Sequence, residues 1–166
     1  MSLFSDRSLW TMLHGIALSG VILMAMASAL FALRVMAVPE GTAAPVNQSR
    51  ALAWLTVAMA VTLWLSVLIG TFIVFPLYRA TPPEGATDLS AYPRALLLAS
   101  QDTRWLHAFG MEIKEHVPWI AAMLSTAVAC IGVRYRESLL GDARLRAAAS
   151  VLLAISFALV SAVGLL

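Results

Sequence analysis

Three histidines, His14, His107 and His116, carry the side chains whose ordinary pKa lies nearest neutrality in this chain. His116 stands in "GMEIKEHVPW" (residues 110–119), where Glu112, Lys114, Glu115 and His116 crowd against an uncharged run from Val117 to Val133. His14 stands in "SLWTMLHGIALSG" (residues 8–20) and shares a helical face with Trp10, Ala17, Leu18 and Val21. An imidazole nitrogen can ligate iron, copper or zinc, or carry a proton. Two imidazoles from different helices, at one depth in an apolar bundle, are a common way to hold b-type haem.

The spacing around His116 fills in such a site. At 3.6 residues per turn, Trp105, Phe109, Glu112, His116, Trp119 and Met123 share one face. The expectation is therefore haem b between His14 and His116, with Trp10, Phe109 and Trp119 as flat walls. Glu112 would accept the second ring proton of His116 and fix its tautomer. Arg79 would meet a propionate or pair with Glu112, with Arg104, Lys114 and Tyr78 as further candidates. His107, about 13 Å farther out along the same helix, is the fallback ligand. The alternatives are a single non-haem metal ion on Glu112, His116 and His14, or no cofactor. Di-iron bundles use paired Glu-x-x-His motifs, which one Glu-x-x-x-His does not supply. Each feature also has a plainer reading: His14 hydrogen-bonded to a neighbouring helix, the charged cluster as a solvated turn, the aromatic stripe as ordinary packing.

The elements that must position these residues follow from composition. Hydrophobic residues make up 61% of the 166 residues and charged ones 12%, against roughly 25% charged in an average soluble domain. Mean hydropathy is +0.86, which places the chain among membrane proteins. The net charge of +2 and the scattered arginines exclude a nucleic-acid partner. A single cysteine, Cys130, excludes an intrachain disulfide framework, and it reads as a small buried hydrophobe.

Four stretches are long enough to cross about 30 Å of hydrocarbon: residues 9–33, 51–78, 105–135 and 145–166. The first is far longer than the 7–15 residues of a signal-peptide core and is expected to remain as a transmembrane helix. "SQDTRW" reads as the start of the third helix, with Ser100 or Asp102 as its cap. That helix would be about 50 Å long, kinked at Pro118. Short connections make antiparallel neighbours, so the predicted fold is all-α: one domain over 1–166, a transmembrane four-helix bundle running up-down-up-down. Gly15, Ser19, Gly20, Ala27, Ser66, Gly70, Ala121, Ser125 and Ala129 would let helices approach closely.

Arg34, Arg50, Arg134, Arg136, Arg144 and Arg146 flank the two short connections. Arg7, Arg79, Arg94, Arg104 and Lys114 lie on the other side, spread over the long 79–104 loop and its surroundings. The positive-inside rule places the short connections in the cytoplasm, with both termini and the long loop outside. Helices two and four carry too few ionisable groups for a proton relay, which disfavours ion transport.

"GTFIVFPLYRA" (residues 70–80) followed by "GMEIKEHVPW" resembles segments of a family of uncharacterised bacterial four-helix integral membrane proteins. The resemblance covers mainly the second and third helices and the loop between them. It implies a bacterial inner-membrane protein and carries over no activity. The functional expectation is thus a small b-type haem protein in electron transfer, exchanging electrons with quinol or a periplasmic cytochrome. The alternative is a non-catalytic subunit packing against a larger respiratory or photosynthetic complex or a second copy of itself. Either way the chain is an electron carrier or subunit more than a stand-alone enzyme, and no catalytic residue is assigned.

Overall fold

The computed structural model describes residues 5–36 and 46–166; the Pro/Gly/Ala-rich connection of residues 37–45 lies outside the described residues. Six helices and no strand occur among those described. Four are long and apolar enough to cross a membrane: α1 (Asp6–Val35), α2 (Asn47–Tyr78), α4 (Gln101–Arg134) and α6 (Ala143–Gly164). Two short ones join them, α3 (Pro93–Ala99) in the long loop and α5 (Ser138–Gly141) before α6. The chain is a multi-pass membrane protein whose outer surface contacts lipid.

The helix starts are chemically marked. Ser100 Oγ accepts from the Asp102 amide at 3.2 Å and caps α4, one of the two residues predicted for that role. Asp142 accepts from the amides of Arg144 and Leu145 at 2.8 and 3.1 Å and caps α6. Pro118 stays inside α4, within the stretch Met111–Arg134.

Helix α1 packs against α2 and α6, and α4 packs against the same two, so the four spans form a square with α1 and α4 on one diagonal. The core is a column of Ile22, Met26, Ala29 and Leu33 from α1, Leu52, Met59, Leu63 and Val67 from α2, Ala121, Ala122 and Val128 from α4, and Ala149 and Leu153 from α6. Lipid tails are as apolar as this core, so burial alone does not drive the helices together. Close approach and hydroxyl pairs do. Ser125 and Ser156 share a 2.8 Å hydrogen bond across α4 and α6, and Ser156 Oγ is also 3.0 Å from the Ala121 carbonyl. Trp64 Nε1–H donates to Thr126 Oγ1 at 2.9 Å between α2 and α4, and its ring stands edge-on to Trp119.

Small residues serve this packing selectively. A Cβ on Gly132 would lie 2.8 Å from Thr56 Oγ1, so only glycine fits that α2–α4 contact. Gly15 and Gly20, expected at helix contacts, have nothing near them, and Ala27 is exposed. Cys130 is also exposed on the bundle surface, not buried. In lipid an outward face is as apolar as an inward one, so the composition of a span does not say which residues face a neighbour.

In the long loop, Gly85 takes φ +78° in a turn closed by the Ala86 amide on the Pro83 carbonyl at 3.2 Å, the positive-φ third position of a type II turn. Ser90 donates its amide to Asp88, which holds the Asp88 carboxyl below the usual carboxylate range. Thr103 Oγ1 and an Arg104 guanidinium nitrogen reach back to the Leu97 and Leu98 carbonyls at the end of α3. An Arg7 guanidinium nitrogen donates to the Ala91 carbonyl. The loop is thereby tied to both α1 and α4.

Gly132→Leu should lower the thermal unfolding midpoint in detergent, by an overpacking cost of about 1–3 kcal/mol. Gly164→Leu, in open space, should leave the midpoint unchanged.

Candidate functional site at the loop-bearing end

Three of the four spans contain one wide, π-helical turn: Leu13–Leu18 in α1, Gly70–Val74 in α2 and Leu106–Gly110 in α4. Because the helices alternate in direction, all three turns lie at the loop-bearing end. Each begins roughly 7–12 Å from the near end of its helix. Such turns are rare and re-aim side chains, and they gather at functional sites.

Each has a local cause or consequence. Pro76 has no N–H for the Phe72 carbonyl and its ring would crowd that carbonyl in a regular turn. The wide turn opens there, with the Phe75 amide bonding five residues back to Gly70. In α1 the His14 carbonyl is met by Ser19 Oγ, also five residues on, at 3.2 Å. In α4 the turn contains His107 and the buried Gly110.

Two of the three histidines are held by hydroxyls of α2. His14 Nδ1 and Ser66 Oγ share a hydrogen bond of 3.2 Å. The imidazole also lies directly over Gly70, where an added Cβ would come within 2.9 Å of His14 Cε1. His107 Nδ1 and the Tyr78 hydroxyl share a hydrogen bond of 2.8 Å, with the rings 5.9 Å apart. In both cases Nε2 has no protein hydrogen-bond partner among the described residues.

His116 sits differently. Its side chain is 71% exposed, and Nδ1–H donates to the Glu112 backbone carbonyl at 2.8 Å. The Glu112 carboxylate, expected to take that proton, is 3.7 Å away and equally exposed. The structure therefore does not bring His14 and His116 together. The outer part of α1 lies against α2, which takes up the His14 ring. The expected wall disperses as well. Phe109 and Trp105 are more than half exposed, Trp119 packs on Trp64, and Trp10 is half-buried. Trp105, Phe109, Glu112, His116 and Met123 are all exposed, so the predicted stripe faces outward on the bundle surface. No cluster of three or more His, Cys, Asp or Glu able to hold a metal occurs among the described residues.

What the geometry does assemble is a cleft of about 210 Å³ where α2 ends and α4 begins. Phe75, Arg79, Arg94, His107, Met111 and the carboxylates Glu112 and Glu115 line it. Arg79 lies over the Phe75 ring at 5.4 Å. Arg94, carried in by α3, has a buried Nε without a partner. Neither arginine forms an ion pair with either glutamate among the described residues. Two cations, two anions and a fixed imidazole thus face one space without neutralising one another. Arg94 and the Tyr78–His107 pair were missed as a site in the sequence. Their signal was there, because Tyr78 closes one span and His107 opens the next.

Comparison with protein-family models, with curated proteins and with solved structures finds no match to this chain.

A double-mutant cycle of His14→Ala and Ser66→Ala, read by thermal unfolding in detergent, should give a coupling of about 0.6 kcal/mol, the usual size for a polar contact between membrane helices. Gly70→Ala should remove that coupling by displacing the ring.

Proposed function

We propose that the protein is a bacterial inner-membrane protein whose loop-bearing end faces the periplasm and seats the headgroup of a quinone for a redox partner. The observation that carries this reading is His107: its Nδ1 is fixed by the Tyr78 hydroxyl, its Nε2 is unpartnered, and it lines a cleft of single-ring size. With the Tyr78 hydroxyl donating to Nδ1, the imidazole carries its proton on Nε2 and can donate it to a quinone carbonyl. Phe75 and Met111 offer apolar walls, and Arg79 and Arg94 would favour a one-electron-reduced, anionic headgroup. Glu112 and Glu115 lie in the same cleft, where a carboxylate can pass protons to water. Sites that enclose a drug-sized ligand occupy about 300–1,000 Å³. The cleft is below that range, which supports one ring with its tail left in lipid and gives no room for a porphyrin. Electrons then pass to a redox centre on a larger complex, with this chain as its non-catalytic subunit. Orientation follows from the arginine-rich short connections, which the positive-inside rule assigns to the cytoplasm.

One observation favours the haem reading. Ser66 holds His14 through Nδ1 and leaves Nε2 without a partner, the arrangement of a ligating histidine. A reduced-minus-oxidised spectrum of the purified protein with iron analysis decides it. A haem ligated by His14 gives an α-band that His14→Ala abolishes; no band and no iron end that reading.

For the quinone reading, equilibrium binding of a short-chain ubiquinone analogue to the detergent-purified protein is the test. His107→Ala should weaken binding about tenfold or more, and Tyr78→Phe about three- to tenfold, the worth of one hydrogen bond. His116→Ala should leave it unchanged. Equal binding by wild type and His107→Ala would overturn the assignment.

A further inference from the structure

The opposite end of the bundle carries a second concavity with a different chemistry. Between the end of α1 and the start of α6 lies a groove of about 440 Å³, lined by Leu30, Phe31, Arg34, Arg146, Ala147 and Ser150 among others. Its charged lining residues among the described residues are both arginines. Arg34 is exposed and makes no hydrogen bond or ion pair among the described residues. Arg146 donates one guanidinium nitrogen to the Leu139 and Leu140 carbonyls at 2.8 and 3.0 Å, while its Nε is buried without a partner. That double bond to the backbone fixes the Arg146 head at the groove.

The position decides what these cations meet. Arg34 is the penultimate residue of α1, and Arg146 lies in the first turn of α6, so both sit where the spans leave the hydrocarbon. Inward of them the groove wall is apolar, and Phe31 is 70% exposed. A site with two cations at the water boundary and an oily floor below matches a molecule with one phosphate and a long chain. A free phosphate would use the cations and leave the apolar floor unused. Basic pockets between helices at a membrane surface bind anionic lipid headgroups in this manner.

We infer that the groove between α1 and α6 seats one anionic phospholipid, with its phosphate between Arg34 and Arg146 and an acyl chain along Phe31 and Ala147. Further arginines of this end, Arg50, Arg134 and Arg144, add a positive field that attracts the same lipid class, whereas Arg136 is paired with Glu137.

Native mass spectrometry of the full chain, released from detergent after exposure to phosphatidylglycerol or to phosphatidylcholine with identical acyl chains, tests this. One phosphatidylglycerol should be retained, with a preference of about thirtyfold from two basic side chains at the surface. Arg34→Gln should reduce the preference to about fivefold, the worth of the one remaining cation, and Arg34→Lys should keep most of it. Arg136→Gln, which removes a cation placed 3.5 Å from Glu137 and outside the groove lining, should change nothing. Arg146→Gln should also lower the preference. Because Arg146 holds α5 as well, Arg34 is the deciding position. Equal retention of both lipids, or unchanged retention in Arg34→Gln, would overturn the inference. Displacement of the lipid by millimolar inorganic phosphate would also overturn it, by identifying the site as one for the free ion.

Discussion

Inside hydrocarbon there is no water to satisfy a polar group, so every polar atom placed in a span must find its partner in the protein. Much of this bundle can be derived from that constraint. Ser125 meets Ser156, Trp64 meets Thr126, His14 meets Ser66 and His107 meets Tyr78. Exposed hydroxyls such as Ser28 and Thr62 bond back to the carbonyl four residues earlier on their own helix. The pairs between helices fix which faces meet, a choice that apolar burial cannot make when the solvent is itself apolar. Glycine acts at the same contacts. Gly132 admits Thr56, and Gly70 admits the His14 ring.

The wide turns belong to the same logic. A π turn loosens the ladder of backbone bonds and is tolerated where other groups take up the slack. Ser19 Oγ does so for the His14 carbonyl, and the Phe75 amide reaches five residues back to Gly70. These turns sit beside the histidines and are absent from α6, which carries none. Irregular backbone, fixed imidazoles and unpaired charges therefore coincide at one end. The rest of the bundle is regular helix packed on small residues. This coincidence, more than any single residue, places the candidate site at the loop-bearing end.

The sequence made position along the axis legible and position around it much less so. Span limits and the Ser100 cap follow from local composition, and the structure carries them. His14 lies toward the loop-bearing end of α1, whereas His116 lies about midway along α4, which begins at Gln101. Their facing directions do not follow from counting. Span faces in lipid lack the polar–apolar contrast that marks a buried face in water, so Cys130 and Ala27 turn outward with no sequence penalty. The stripe drawn from Trp105 to Met123 likewise faces outward, with Trp105, Phe109, Glu112, His116 and Met123 all exposed. The wide turn at Leu106–Gly110 left no mark in the sequence. Pro76 was the one visible sign of such a turn, and it marks only the turn in α2.

The two ends of the bundle differ in the kind of charge they present. At the loop-bearing end arginines, glutamates and an imidazole share one cleft, an arrangement that can bind a polar ring and exchange protons with it. At the other end the described residues of the groove offer two arginines, an arrangement that suits a fixed anion. On the two readings proposed above, the arginine groove would anchor a lipid and the mixed cleft would hold a redox ligand. The two sites would then occupy opposite ends of one short bundle, joined by close-packed helix between them.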